Sequence, residues 1–329
     1  MNNLNHHITP SRAFGSAGIV RRSRCAQEIA MSSTVLSETK FDVYRTVTAQ
    51  IVAGIEAGAG TCVMPWHTGH PITLPVNAST EAGYKGINIL TLWVAATAKG
   101  FDTGYWASYR QWQALGAQVR KGELGSIIVF YREFPREEGS QDADRPRFVV
   151  RATRVFNAAQ VEGWKPPTED RVSAIETNAR IEAFVRATQA DIRTGASGAR
   201  YRLRDDQIEL PAPEQFISTT TRTATEAYYA VLLHELTHWT GAPHRLNREF
   251  GARFGDRAYA FEELIAELGS AFLCSAFGIV NEPRPDHAAY IASWLKILDK
   301  DHRAIFTAAN QAQKAVEYLA ALAASNPGP

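Results

Sequence analysis

Sulfur is scarce in this chain. Its three cysteines, Cys25, Cys62 and Cys274, are odd in number and far apart. They provide no disulfide framework and no cysteine-rich zinc knuckle, and they suit a reducing, cytoplasmic setting. Its three methionines, Met1, Met31 and Met64, all fall early in the sequence. No apolar run approaches the roughly 18 residues of a membrane span, so no membrane partner is expected. Charge of either sign is not in excess. The net value is +1, and any nucleic-acid site must come from local clustering. What is present, 45% hydrophobic and 21% charged residues in a chain of 329, is the composition of a globular protein of about two domains.

The stretch His234-Glu235-Leu236-Thr237-His238 reads HExxH. Thr223-Ala224-Thr225-Glu226 upstream has the form of a capping box, an apolar run follows, and Gly241 and Pro243 end it. The spacing predicts a helix over 223–240. Histidines four apart share one helix face, where two imidazoles can hold one metal ion. Glu235 is the expected catalytic base. A carboxylate next to the first histidine can take a proton as water attacks a carbonyl.

Two residues compete as third ligand. His244 completes HExxHxxGxxH, the metzincin spacing, but those enzymes need a methionine turn, and no methionine follows Met64. Glu263 lies in 258–277, AYAFEELIAELGSAFLCSAF, which reads as a second helix. A carboxylate on a second helix resembles the gluzincin arrangement, and Glu263 is preferred, with His244 as the alternative. Glu267, one turn on, is expected to accept the remaining N–H of a ligand histidine. Glu262, about a quarter turn away, is expected to be a solvated carboxylate. Either third ligand leaves an open, catalytic site. Zinc is the default ion, with manganese or another divalent ion as alternatives. Tyr259, His287 and Tyr290 are candidates to stabilise an oxyanion.

Apolar spacing predicts helices over 40–57 and 86–99, a strand and short helix over 104–115, and strands over 126–134 and 147–156 around a charged loop. Gly163-Trp164-Lys165-Pro166-Pro167 breaks the pattern and marks a domain boundary. A helix over 170–193 and short strands over 200–210 should follow. The strands are the natural candidate for an edge that holds an extended peptide. Two more helices are expected over 286–299 and 301–323. The fold class is α+β: a small α/β domain over 31–163, then a mostly helical domain over 164–324. The polar residues 1–30 are expected to be a disordered extension, with Met31 the more natural start, and 325–329 a disordered tail.

Residues 84–132 carry six basic residues against two acidic ones, interleaved with aromatics. Bases stack on aromatic faces while cations follow phosphates, which is what a single-stranded nucleic-acid site needs. The candidates are Tyr84, Lys85, Asn88, Trp106, Tyr109, Arg110, Arg120, Lys121 and Arg132. Tyr84-Lys85-Gly86 and Arg120-Lys121-Gly122 each set a cation beside a glycine, where backbone N–H groups can approach a phosphate.

Taken together, these segments resemble the ArdC-type antirestriction proteins of conjugative plasmids. One block runs through Pro65-Trp66, Tyr84-Lys85-Gly86-Ile87-Asn88, Gly116–Glu123 and Val155-Phe156-Asn157. The other is His234-Glu235-Leu236-Thr237-His238-Trp239-Thr240-Gly241 with Glu262–Leu268. The likeness covers about residues 40–320, and its first block is also similar to the N-terminal part of some plasmid primases. It implies a single-stranded-DNA-binding N-terminal domain and a zincin-like metallopeptidase domain. It also implies protection of incoming DNA from host restriction, with a protein substrate or restriction-system component as partner. His234, Glu235, His238 and Glu263 match its motif positions.

Overall fold

The computed structural model of the chain describes residues 42–61, 63–67, 72–134, 147–167, 173–251, 256–283 and 287–326. The expected extension over 1–30, the charged loop over 135–146 and the last three residues lie outside the described residues.

Helix α1 (Val43–Ala59) starts where the Asp42 side chain accepts from the Arg45 amide, and it buries Val47, Ile51 and Ile55. After the short strand β1 (Val76–Asn77), α2 (Ile87–Lys99) stops at Gly100, which is left-handed as a helix-ending glycine should be. Strand β2 (Tyr105–Ala107) and the short α3 (Tyr109–Ala114) follow, then β3 (Gln118–Val119), β4 (Ser126–Phe134), β5 (Arg147–Asn157) and β6 (Val161–Glu162). The main sheet runs β1-β2-β5-β4, with β4 and β5 antiparallel from Ser126↔Val155 to Phe134↔Arg147.

The second half holds α4 (Ala174–Thr188), β7 (Asp191–Thr194), β8 (Arg200–Arg202) and β9 (Gln207–Leu210). It continues with helices α5 (Ala224–Trp239), α6 (Arg257–Phe277), α7 (His287–Lys300) and α8 (Ala304–Ser325). The capping box before α5 forms as expected, with Thr223 and Glu226 each bonding the other's amide. The helix expected over 170–193 ends early. The Thr188 hydroxyl donates back to the Val185 carbonyl and accepts from the Ala190 amide, Gln189 turns left-handed, and Asp191–Thr194 joins β9 in parallel. A threonine that satisfies its own neighbourhood competes with the helix, and the pairing of Ile192 with Ile208 settles the outcome.

One core runs through both halves. Val47, Ile51, Trp66, Leu90 and Trp93 pack with Leu264, Phe272, Trp294 and Ile305. Helices α5 and α6 approach closely because Gly269 has no side chain. A Cβ there would lie 2.5 Å from Thr237 Cγ2. That contact sets the HExxH turn of α5 directly against α6.

Candidate metal centre and nucleic-acid surface

His234, His238 and Glu263 converge, all buried, with their ligand atoms within 4.8 Å of one another. The two Nε2 atoms are 3.2 Å apart, and Glu263 oxygens lie 3.6 Å from His234 Nε2 and 3.5 Å from His238 Nε2. Donors bound tetrahedrally at about 2.1 Å stand about 3.4 Å from each other, so these separations, Oε2 to His234 and Oε1 to His238, are of the size that ligands of one ion show. The electrostatics agree. Glu235, Glu262, Glu263 and Glu267 are all buried, and Arg248 pairs with Glu262. Burial alone would push the Glu263 carboxyl up and His238 down. The hydrogen bonds and charges between them win, lowering Glu263 and raising His238 to about 10. The site therefore draws positive charge, either a proton on His238 or a divalent ion.

The surrounding partners differ from the expectation in two places. Glu262 is not solvated. It is 3% exposed, its Oε1 lies 3.1 Å from His238 Nδ1, and Arg248 donates to it at 2.8 and 3.0 Å. A quarter turn from Glu263 still faces inward because α6 is covered on both sides, by α5 and by the first half of the chain. Arg248 also donates to the Thr237 carbonyl and the Thr240 hydroxyl. A Cβ on Gly241 would sit 2.8 Å from an Arg248 nitrogen, so this glycine makes room for the guanidinium as well as closing the helix. Glu267 does face His234, but its Oε2 is 3.9 Å from Nδ1, beyond hydrogen-bond reach. Its other oxygen accepts from Trp66 Nε1 at 3.0 Å and pairs with His67 Nε2 at 2.6 Å. Sequence reading missed His67 and Arg248. Nothing in local spacing links either of them to α6.

His244 does not join the group. Its side chain is 63% exposed and lies beside Asp206, 3.3 Å away. Tyr259 does reach the site. It hydrogen-bonds Glu263 and Tyr290, and burial, aided by the nearby Glu263 and Glu235 carboxyls, holds its phenol pKa above the usual value. The His287 side chain lies outside the described residues. Phe250 packs between the centre and β8, with ring centroids 6.3 Å from His238 and 6.0 Å from Tyr201. That brings an edge strand to the metal side, where the sequence placed it.

The basic and aromatic candidates of the first half have different fates. Trp106 is 1% exposed and packs with Leu92 and Val155, so it belongs to the core and offers no stacking face. Asn88 is pinned at both ends of its amide to the Val129 backbone, at 2.7 Å each, and joins α2 to β4. Tyr84 is half-buried against the core, and burial raises its pKa despite the hydrogen bond from Asn77. Lys85 is exposed but paired with Glu317 at 2.8 Å. Arg120 is likewise exposed but paired with Glu123 at 2.8 Å, and Tyr109, Arg110 and Lys121 are exposed. Tyr109, Arg120 and Lys121 line one concavity of about 570 Å³ with Gly122 and Phe156. The Arg132 side chain lies outside the described residues. A second concavity, about 650 Å³, gathers Lys85 with Tyr44, Tyr131 and Arg303. Arg303 lies over the Tyr44 ring, 4.9 Å from its centroid. Tyr131 and Arg303 were not among the expected residues, and Arg303 is too far along the sequence for any clustering to show it.

A family model for the N-terminal domain of the anti-restriction factor ArdC matches residues 41–161, and one for a zincin-like metallopeptidase matches residues 179–311. The protein y4eC of Sinorhizobium fredii is 46% identical over 297 residues, spanning 88% of this chain and 95% of its own length. A DNA primase TraC of Escherichia coli is 37% identical over 308 residues, and the match spans 87% of this chain but 28% of the primase. The crystal structure of the antirestriction ArdC protein from plasmid R388, Mn(II)-bound, is similar with a TM-score of 0.70 at 40% identity, covering 86% of this chain and 99% of that one. An α+β fold, the two matches in this order and a relative aligned over almost its whole length have one reading: the chain belongs to the ArdC family of antirestriction proteins.

Proposed function

We propose that the chain protects incoming DNA from restriction by joining a single-stranded-DNA-binding first half to a metal-dependent peptidase site in the second. The observation that carries the peptidase half is the triangle of His234, His238 and Glu263 with Glu235 buried on the same helix. Two imidazoles and one carboxylate leave a coordination position open, and a site of that kind is catalytic rather than structural. A divalent ion held there, zinc or manganese, supplies Lewis-acid activation of water and of a peptide carbonyl. Glu235 takes the proton of the attacking water and delivers it to the leaving amine. Tyr259 donates its O–H to the carbonyl oxygen as that oxygen gains charge. Glu262, braced by Arg248, holds the His238 ring from behind.

Single-stranded DNA fits the two concavities of the first half. Tyr109 beside Arg120 and Lys121, and Tyr131 beside Lys85 and Arg303, each pair a stacking face with cations. The protein cut would be one brought close by the same DNA. The deciding experiment compares wild type with Glu235→Gln for protection of DNA transferred by conjugation, after both are shown to bind metal and single-stranded DNA equally. Loss of protection supports hydrolysis. Full protection by the variant leaves a protein that acts by binding alone.

A further inference from the structure

Two side chains from the first half close over the metal centre from a distance of about 200 residues in sequence. The Met64 amide donates to His67 Nδ1 at 3.1 Å, which places the ring proton on Nε2. That nitrogen lies 2.6 Å from Glu267 Oε1, and Trp66 Nε1, which can only donate, reaches the same oxygen at 3.0 Å. His67 and Glu267 side chains are 1% and 3% exposed. With Oε1 held by two donors, Oε2 is the oxygen that faces His234 Nδ1. The same segment is tied further along α6, where Ser275 donates to the Ile72 carbonyl.

The structure assigns to Trp66 and His67 the role of positioning residues for the metal centre. They fix the rotamer of Glu267, so that its Oε2 charge stays 3.9 Å from His234 Nδ1 and favours the ring orientation that leaves Nε2 for a metal. The candidate metal centre is thus a composite of both halves, with Trp66 and His67 supplied by the first. This inference rests on the metal site proposed above but not on peptidase activity.

The test is titration of the full-length protein with Mn²⁺, followed by calorimetry, with thermal unfolding in chelator as a check on folding. His67→Leu keeps volume and removes the donor, and should weaken Mn²⁺ binding by about 10–100-fold, the usual cost of losing an outer partner. His67→Gln, which can donate from a similar place, should recover most of that loss. In a Glu267→Gln background, His67→Leu should cost nothing further. Trp66→Phe removes the second donor with little change of shape and should give a smaller loss in the same direction, which covers the case of His67→Leu failing to fold. Wild-type affinity in both His67→Leu and Trp66→Phe would overturn the assignment. So would equal losses with and without the Glu267 carboxylate. If Glu263→Ala also bound Mn²⁺ normally, the metal-site reading itself would fail. Loss in Glu263→Ala alone would sink only the role of Trp66 and His67.

Discussion

The candidate metal centre and the basic, aromatic surface of the first half were both visible in the sequence, and they fared differently. At the centre, His234 and His238 lie four apart on one helix, and that spacing fixes their geometry before any tertiary contact forms. On the surface, the candidates were chosen by residue type over a window of about fifty positions. Type alone does not say which way a side chain points. Trp106 went into the core, Asn88 became a bracket between α2 and β4, and Tyr109 and Lys121 stayed on the outside. A motif with a fixed internal distance is a statement about structure, whereas a cluster of composition is only a statement about opportunity.

The largest expected effect tests the centre. Glu263→Ala should reduce divalent-metal affinity by more than about 100-fold, beyond the about 10–100-fold that loss of an outer partner costs. His244→Ala should leave it unchanged, since His244 sits with Asp206 on the surface. Equal losses in the two variants, measured by metal titration, would break the assignment of the third ligand.

The surface is sharpened by a matched pair. Trp106→Ala should destabilise the fold by about 3–5 kcal/mol, as truncation of a buried aromatic does. Tyr109→Ala should leave chemical denaturation nearly unchanged while weakening single-stranded-DNA binding by about 1–3 kcal/mol, the worth of one stacked base. If both variants lost DNA binding with folding intact, Trp106 would be a platform after all, and its burial would have to open on binding.

Packing between α5 and α6 stands between the two regions. Gly269→Ala would press a methyl group into Thr237, and overpacking of this kind costs about 1–3 kcal/mol. Because Thr237 sits between His234 and His238, metal affinity should fall together with the melting temperature. A variant that melts lower yet binds metal as well as wild type would show that the helices can part without moving the histidines.

Most of the fold was legible because helix and strand periods recur along the chain, and both Thr223 with Glu226 and Gly100 mark ends that the structure confirms. The end of α4 was not legible, because Asp191–Thr194 leaves the helix to pair with a strand that comes later. At the centre, His234, His238 and Glu263 were legible, and the residues brought from elsewhere were not. His67 and Trp66 arrive from the first half and Arg248 from a loop. Glu262 was misjudged for the same reason. A helical period tells which residues share a face, but not how many faces will be covered.

Acidity offers a finer probe of the centre. His238 is raised from its ordinary 6.5 to about 10 in the metal-free protein, where burial opposes the charge but Glu262 and Glu263 hold it. A raised pKa means that the stabilisation is fully present below about pH 6.5 and is lost as pH climbs through about 10. A metal ion needs the neutral ring, so loading at pH 8 should release about one proton, and affinity should weaken as pH falls. Calorimetry in buffers of different ionisation enthalpy counts that proton. Release of none would mean that the histidine is already neutral and that the carboxylates hold their charge by other means.

The smallest effect belongs to Lys85. Its bond to Glu317 joins two exposed side chains, and pairs of that kind contribute about 0–1 kcal/mol, so Lys85→Ala should scarcely move the melting temperature. If the lysine meets a phosphate, it must first leave Glu317. The DNA affinity of the variant should then fall only slightly, while the slope of log affinity against log salt should drop by about 0.7, the single-strand value for one phosphate contact. Lys121→Ala, with no carboxylate to release among its described contacts, should change the slope by the same amount and the affinity by more. An unchanged slope in Lys85→Ala with a reduced one in Lys121→Ala would confine the DNA to the concavity beside Tyr109. The second concavity would then serve only to join α8 to the first half.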